Sequence, residues 1–166
     1  YAPATAAHEA IAGMDIQGFF LGRKSGCMGE TSVIAIILAF AILAWRKTLF
    51  WQLAAAPLAG WVLTLALLWL TGVIAGDGGR FILARLVAGG GVFAIAFMCT
   101  EPVTAPMNKT ARWLYGLLIG FFAGIIGTMS SFAEGWMFAV LLGNLFGPIM
   151  ELAVIEWTAW RSKGAA

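Results

Sequence analysis

Long apolar runs alternate with short polar interruptions from residue 31 onwards. Five such runs cover residues 32–45, 49–75, 81–99, 113–129 and 136–157. An α-helix needs about 20 residues, each rising 1.5 Å, to cross the roughly 30 Å hydrocarbon core of a bilayer. The first run reaches only about 21 Å, so it is either completed by flanking residues or is a shortened helix inside a bundle. The pattern predicts an all-α integral membrane protein with about five transmembrane helices.

Glycine and proline interrupt several of these runs. Pro57 lies in the second run, Gly89–Gly91 in the third and Pro148 in the fifth. Such residues weaken, kink or break a helix, so we expect broken or half helices in the bundle. A stripe of small residues at every fourth position is typical of helices that pack closely in a membrane. The fourth run has this stripe, at Gly116, Gly120 and Gly124.

The composition agrees with a membrane protein. Of 166 residues, 61% are hydrophobic and 11% are charged, whereas soluble domains carry about 25% charged residues. The basic residues are scattered and the net charge is only +2, so we expect the lipid bilayer as a partner and no nucleic acid. Cys27 and Cys99 lack metal-binding spacing, which leaves a disulfide or two packed thiols as alternatives.

Residues 1–30 form an irregular, Gly-rich segment ahead of the five-helix bundle at residues 31–166. The sequence starts at Tyr1 without a methionine, and polar residues interrupt any signal-peptide core in this segment, so we expect a processed or partial chain. Five spans place the two termini on opposite sides, and the side richer in basic residues is normally cytoplasmic. One side collects Arg46, Lys47, Lys109, Arg112, Arg161 and Lys163, and the other collects Arg23, Lys24, Arg80 and Arg85. This distribution predicts an outer N-terminus and a cytoplasmic C-terminus.

The segment between the third and fourth runs is the strongest candidate for chemistry. Glu101 stands directly before Pro102, and a residue before proline is pushed out of the helical region. Irregular backbone at membrane depth persists only where protein buries it or a polar cavity solvates it. Thr100, Thr104 and Asn108 add oxygen atoms of the kind that hard cations bind. We interpret the segment as part of an ion pathway; the alternative is a span-end charge in water.

Two further acids accompany helix breaks. Glu30 opens the first run, where a helix N-terminus favours a carboxylate; the alternative there is a simple helix cap. Glu151 lies within the fifth run, and an acid flanked by apolar residues is expected to face the bundle interior or a partner. Asn144 lies seven residues earlier on a similar helix face, so we expect it to partner Glu151 in the same ion pathway. An alternative for Glu151 is a carboxylate at the membrane interface.

Four ordered motifs over about 130 residues of this sequence resemble the NqrB/RnfD family. The first is a G-x-x-G-E-[TV]-S helix opening and the second is F-M-A-T-D-P-V-[ST]. The third is [KR]-W-x-[YF]-G-x-L-I-G, and the fourth runs from P-E-G to N-x-[FV]-x-P-[LI]-[IM]-D. They are matched here by residues 26–32, 97–104, 112–120 and 133–151. The family supplies a membrane subunit of the Na⁺-pumping NADH:quinone oxidoreductase and of the Rnf ferredoxin:NAD⁺ oxidoreductase.

The resemblance implies that this chain is the C-terminal half of a larger subunit with a urea-transporter-like fold. The family's acidic positions fall on Glu30, Glu101 and Glu151, of which the latter two are usually Asp. The resemblance further implies other membrane subunits of an Rnf or NQR complex as partners, Na⁺ or H⁺ as the transported ion, and a location in the cell inner membrane. An activity would belong to the assembled complex, and no catalytic residue is assigned to this chain.

Family members also bind FMN covalently through the threonine of an [ST]-G-A-T motif just before this half. Residues Ala2-Pro3-Ala4-Thr5 lie at that place and match only in the last two positions. The resemblance thus implies Thr5 as the flavin-binding residue, and the alternative is a loop threonine in a degenerate site. Without a flavin, a non-redox transporter or channel of urea-transporter-like fold, or a scaffold half-subunit, fits the same residues. Flavin content distinguishes the non-redox transporter or channel from the redox subunit.

Overall fold

A computed structural model of the chain describes residues 32–74, 82, 86, 90–129 and 135–163. Across these residues the regular backbone is helical, without a strand. We number the helices in chain order. They are α1 (Val33–Trp45), α2 (Gln52–Leu70), α3 (Gly91–Phe93, continuing as a π-helical turn over Ala94–Met98), α4 (Lys109–Met129) and α5 (Gly135–Lys163).

The helix lengths confirm an all-α membrane protein. Among the described helices, α2, α4 and α5 are long and apolar enough to cross a bilayer; at 1.5 Å per residue they extend about 29, 32 and 44 Å. Helix α1 has 13 residues, which agrees with the shortened-helix alternative for the first run. Residues 81, 83–85 and 87–89 of the predicted third run and all of residues 1–30 lie outside the described residues, so the count of five spans stays a prediction.

Side-chain caps mark the starts of two described helices, α1 and α4. The hydroxyl of Ser32 accepts a hydrogen bond from the Ala35 N–H at 3.4 Å and caps α1. Asn108 Oδ1 accepts from the Thr110 N–H at 2.9 Å, which satisfies one of the free donors of a helix N-terminus. Helix α4 therefore begins at Lys109, four residues before the apolar run at Trp113, and this start brings Arg112 inside the helix.

Close packing of α2 against α4 forms the centre of the described fold. Where the two helices approach most closely, a glycine on α4 leaves room for α2. A Cβ on Gly116 would come within 2.5 Å of Ala56 Cβ, and a Cβ on Gly120 would come within 2.5 Å of the Trp61 backbone nitrogen. The predicted stripe of small residues is thus the surface that α2 contacts. Helix α5 also packs on α4.

The core of the bundle lies between these three helices. Its largest fully buried side chains include Leu53 and Leu65 from α2, Tyr115 and Ile119 from α4, and Val140 from α5. The rings of Trp61 and Trp136 meet with centroids 5.7 Å apart. Cys99 is buried with a free thiol, while Cys27 lies outside the described residues. The arrangement fixes α4 between two helices, and α4 in turn positions the side chains next to the helix break.

Replacing Gly120 by alanine should destabilise the protein because the new methyl group would overlap the backbone of α2. Overpacking of this kind costs about 1–3 kcal/mol. Gly147→Ala is the matched control, since its Cβ would meet nothing nearer than the Tyr115 ring at 3.6 Å and alanine favours the helix by up to about 1 kcal/mol. Thermal unfolding in detergent measures both. Equal melting temperatures for the two variants would contradict the described α2–α4 contact.

Candidate functional site at the helix break

The chain leaves helical geometry at the predicted position. The N–H of Cys99 donates to the Ala94 carbonyl at 2.8 Å, which closes the π-helical turn. The Thr100 hydroxyl donates to the Ala96 carbonyl at 2.6 Å and is buried. The helix then stops before Glu101 and Pro102, and helical structure resumes only at Lys109. The proline-broken segment predicted from the sequence is confirmed, and we refer to residues 99–108 as the break segment.

Glu151 on α5 contacts the break segment directly. Its Oε1 accepts a hydrogen bond from the Met107 backbone N–H at 3.1 Å, between residues 44 positions apart in the sequence. Glu151 is half-buried and Met107 is exposed, so the bond pairs the Met107 N–H at the protein surface and joins α5 to the break segment. Hydrogen bonds of this type, with an ionised acceptor, are about twice as strong as neutral ones.

Arg112 on α4 binds the carbonyl end of the peptide group whose N–H donates to Glu151. Its Nε donates to the Pro106 carbonyl oxygen at 2.9 Å. The guanidinium carbon lies 3.4 Å from the centroid of the Phe50 ring, a cation–π contact, and only 6% of Arg112 is exposed. The Pro106 carbonyl and the Met107 N–H belong to one peptide group, which is thus fixed at its oxygen by a cation and at its nitrogen by an anion. We call it the clamped peptide.

Asn144 has a partner other than the one expected from the sequence. Its Oδ1 accepts a hydrogen bond from the Tyr115 hydroxyl at 2.5 Å, while Glu151 bonds to the break segment. Pro148 has no N–H to offer the carbonyl four residues earlier, so the Asn144 backbone oxygen loses its usual helical partner. Gly147 lies beside the Tyr115 ring and near the Thr104 carbonyl. Tyr115 and Asn144 therefore join α4 to α5 beside the break segment.

The remaining predicted site residues divide into two groups. Glu101 and Thr104 are exposed on the break segment, and Thr100 is buried beneath it. Glu30 and Thr5 lie outside the described residues. The structure thus brings Thr100, Thr104, Asn144 and Glu151 to the same break, while a shared cavity for the three glutamates stays a prediction.

Sequence reasoning did not assign a role to Arg112 or Tyr115. Both lie on the buried face of α4 with Gly116 and Ile119, a spacing of three and four residues that follows one helix face. That periodicity, extended one turn before the apolar run, would have indicated that Arg112 is buried. No pattern in the sequence indicates its partners, because Pro106 and Phe50 come from two other segments.

Comparisons with known proteins identify the family of this chain. The model of the family described as "NQR2, RnfD, RnfE family" matches residues 2–158. A subunit of the Na⁺-translocating NADH-quinone reductase of Azotobacter vinelandii is 36% identical over 149 residues, which cover 87% of this chain and 36% of that protein. Its counterpart in Pseudomonas aeruginosa is 37% identical over 143 residues, covering 82% of this chain and 34% of that protein. The chain spans about a third of the length of these relatives.

Replacing Arg112 by methionine should loosen the break segment, because the Pro106 carbonyl loses a charged donor worth about 1.5–3 kcal/mol. We expect the amides of residues 100–108 to exchange with deuterium about tenfold faster, the factor that corresponds to ~1.4 kcal/mol. Arg161→Met is the matched control, because Arg161 is exposed and lies 5.5 Å from the Trp157 ring. Unchanged exchange in Arg112→Met would show that the clamped peptide does not depend on Arg112.

Proposed function

We propose, because this chain belongs to the NQR2, RnfD, RnfE family, that it acts as part of a membrane subunit in an ion-translocating electron-transport complex. The complex would be of the NQR or Rnf type, with an NADH- or ferredoxin-linked oxidoreductase activity. This subunit would carry electrons through covalently bound FMN and couple them to the movement of Na⁺ or H⁺. Other membrane subunits of the complex would be its partners, since the curated relatives are named as one subunit of a reductase.

The observation that carries this proposal is the clamped peptide at the helix break. Glu151 is an ionisable group at a membrane span, and such groups typically mark ion or proton pathways. Its carboxylate accepts from the Met107 N–H and keeps further lone pairs for a cation or a proton. A cation or a proton bound to the Glu151 carboxylate would either replace that hydrogen bond or be held beside it. Occupation of Glu151 therefore changes the forces on the break segment, which is what coupling at this site requires.

Oxygen atoms around the break suit a hard cation as the transported substrate. Thr100, Thr104, Asn144 and Glu151 lie at or beside the break segment, and Glu101 is exposed on it. Hydroxyl, carbonyl and carboxylate oxygens are the ligands that hard cations prefer. We place these residues, together with Glu30, along one ion pathway. Exposure of Glu101 would let it exchange ions with the surrounding solution, while Glu151 would hold the ion at the break.

The flavin part of the proposal depends on Thr5. That residue lies outside the described part of the chain, so its assignment rests on the family pattern at Ala4-Thr5 and not on geometry. The threonine hydroxyl would form a phosphoester with FMN, which would supply the electron-transfer chemistry while the protein supplies its position. A flavin near the start of the chain would lie on the side of the membrane opposite the clamped peptide if the predicted topology holds.

The orientation in the membrane is proposed from the basic residues. Arg112 lies over Phe50, and the rings of Trp51 and Trp113 meet at 5.8 Å. These contacts support the assignment of Arg46, Lys47, Lys109 and Arg112 to one membrane side. A side rich in basic residues faces the cytoplasm in most membrane proteins. We therefore place this side inside the cell and the N-terminal segment outside, in the cell inner membrane.

Peptide mapping of the native subunit tests the redox function. We expect the peptide that contains Thr5 to carry the mass of one FMN joined with loss of water, and Thr5→Val to lose it. Thr5→Ser is the matched control, because it keeps a hydroxyl at the same position. An unmodified Thr5, in cells that flavinylate other proteins, would contradict the proposal. It would favour a flavin-free transporter, for which broken helices are equally suitable.

A further inference from the structure

A large apolar cavity lies among α1, α2 and α3, is lined by residues outside the break segment, and has no role in the function proposed above. Its volume is about 700 Å³, within the roughly 300–1,000 Å³ typical of small-molecule sites. The walls come from α1, the start of α2 and α3, with Ile37, Phe40, Leu58 and Ile95 among the lining residues. Of the predicted ion-pathway residues that the structure describes, none lines it. A walled apolar space of this size beside a short α1 fits a hydrocarbon chain.

One charged side chain lines this otherwise apolar cavity. Of the described residues that line it, only Lys47 carries a charge. Lys47 also has a backbone φ of 54°, the left-handed conformation that glycine adopts easily and that lysine rarely adopts. It follows the last turn of α1, where its N–H donates to the Ala44 carbonyl at 3.0 Å. A glycine would end this helix with less strain, so the presence of lysine favours a role for its ammonium group.

The mouth of the cavity has the composition of a membrane interface. Lys47 follows Arg46 directly, and the indole rings of Trp45 and Trp51 are largely exposed on either side. Tryptophan and basic residues are enriched at the level of lipid headgroups. Anionic headgroups attract such basic residues, with about 1 kcal/mol for each lysine or arginine near the surface. The charge at the mouth is therefore complementary to a lipid phosphate, and the walls are complementary to its acyl chain.

We propose that this cavity binds one anionic phospholipid, with an acyl chain against α1, α2 and α3 and the phosphate held by Lys47. The bound lipid fills the space beside the short α1 and seals it toward the bilayer. This inference stands on the cavity and on Lys47 alone, and it does not depend on the flavin or on ion transport.

Native mass spectrometry of the purified, delipidated full-length subunit with its native partners tests this site. The probes are dioleoyl phosphatidylglycerol and dioleoyl phosphatidylcholine, which share acyl chains and differ in headgroup charge. We expect phosphatidylglycerol to bind at least about fivefold more tightly, the factor for one basic side chain at an anionic lipid. Lys47→Gln should abolish this preference. Lys109→Gln is the matched control, because Lys109 is an exposed lysine that does not line the cavity.

Two further variants separate binding in the cavity from effects on folding. Lys47→Gly should raise the melting temperature of the lipid-free protein, because it relieves the left-handed backbone, and should still lose the preference for phosphatidylglycerol. Ala55→Leu narrows the cavity and should weaken both lipids. Equal binding of the two lipids by the unaltered protein would overturn the proposal. An unchanged preference for phosphatidylglycerol in Lys47→Gln, or an equal loss of that preference in Lys109→Gln, would also overturn it. The proposal would fail as well if the cavity bound no lipid because a polypeptide segment fills it.

Discussion

The arrangement around the break depends on one constraint, which is that a non-helical peptide group between membrane spans needs partners for its N–H and C=O wherever protein shields it from water. A backbone N–H or C=O left unpaired there costs several kcal/mol. The chain meets this constraint with two charged side chains of opposite sign, Arg112 at the Pro106 oxygen and Glu151 at the Met107 nitrogen. Each charged side chain thus bonds to the end of the peptide dipole that has the opposite sign. The break segment thereby gains a defined geometry without being helical.

Helix packing supplies the positions that this clamp requires. Glycines on α4 let α2 approach until Phe50, just before α2, lies against the Arg112 guanidinium. The cap at Asn108 starts α4 early enough to include Arg112. The Tyr115–Asn144 hydrogen bond joins α4 to α5, the helix that carries Glu151. A clamp that depends on three helices would respond to any change at Glu151, and this dependence is why we associate the site with coupling.

The sequence predicts much of this fold because hydrocarbon imposes simple rules. Apolar runs of sufficient length predict α2, α4 and α5, proline after Glu101 predicts the break, and an acid within an apolar run predicts that Glu151 has a protein partner. The partners themselves could not be predicted. The pairing of Glu151 with the Met107 nitrogen, and of Asn144 with Tyr115, depends on how α4 and α5 are rotated against each other, and no local pattern encodes that rotation.

Some features could not be predicted because a basic residue at a span end can be either solvated or held by a protein or lipid partner. By residue type Arg112 is one more basic residue at a span end, yet its side chain is buried against Phe50. Lys47 is also a basic residue at a span end by residue type, yet its backbone is left-handed and its side chain lines an apolar cavity. Residue type alone does not distinguish a solvated cation from one that holds a carbonyl or a lipid phosphate. The surrounding helices decide between these roles.

The ratio of ions translocated to electrons transferred, measured for the assembled complex in proteoliposomes, tests the central role of Glu151 most directly. Glu151→Gln keeps an oxygen that accepts from the Met107 N–H while removing the charge, so the fold should persist. Glu156→Gln is the control, since Glu156 is exposed on the same helix. We predict that the ratio falls toward zero for Glu151→Gln and does not change for Glu156→Gln. An unchanged ratio in Glu151→Gln, with electron transfer intact, would contradict this account.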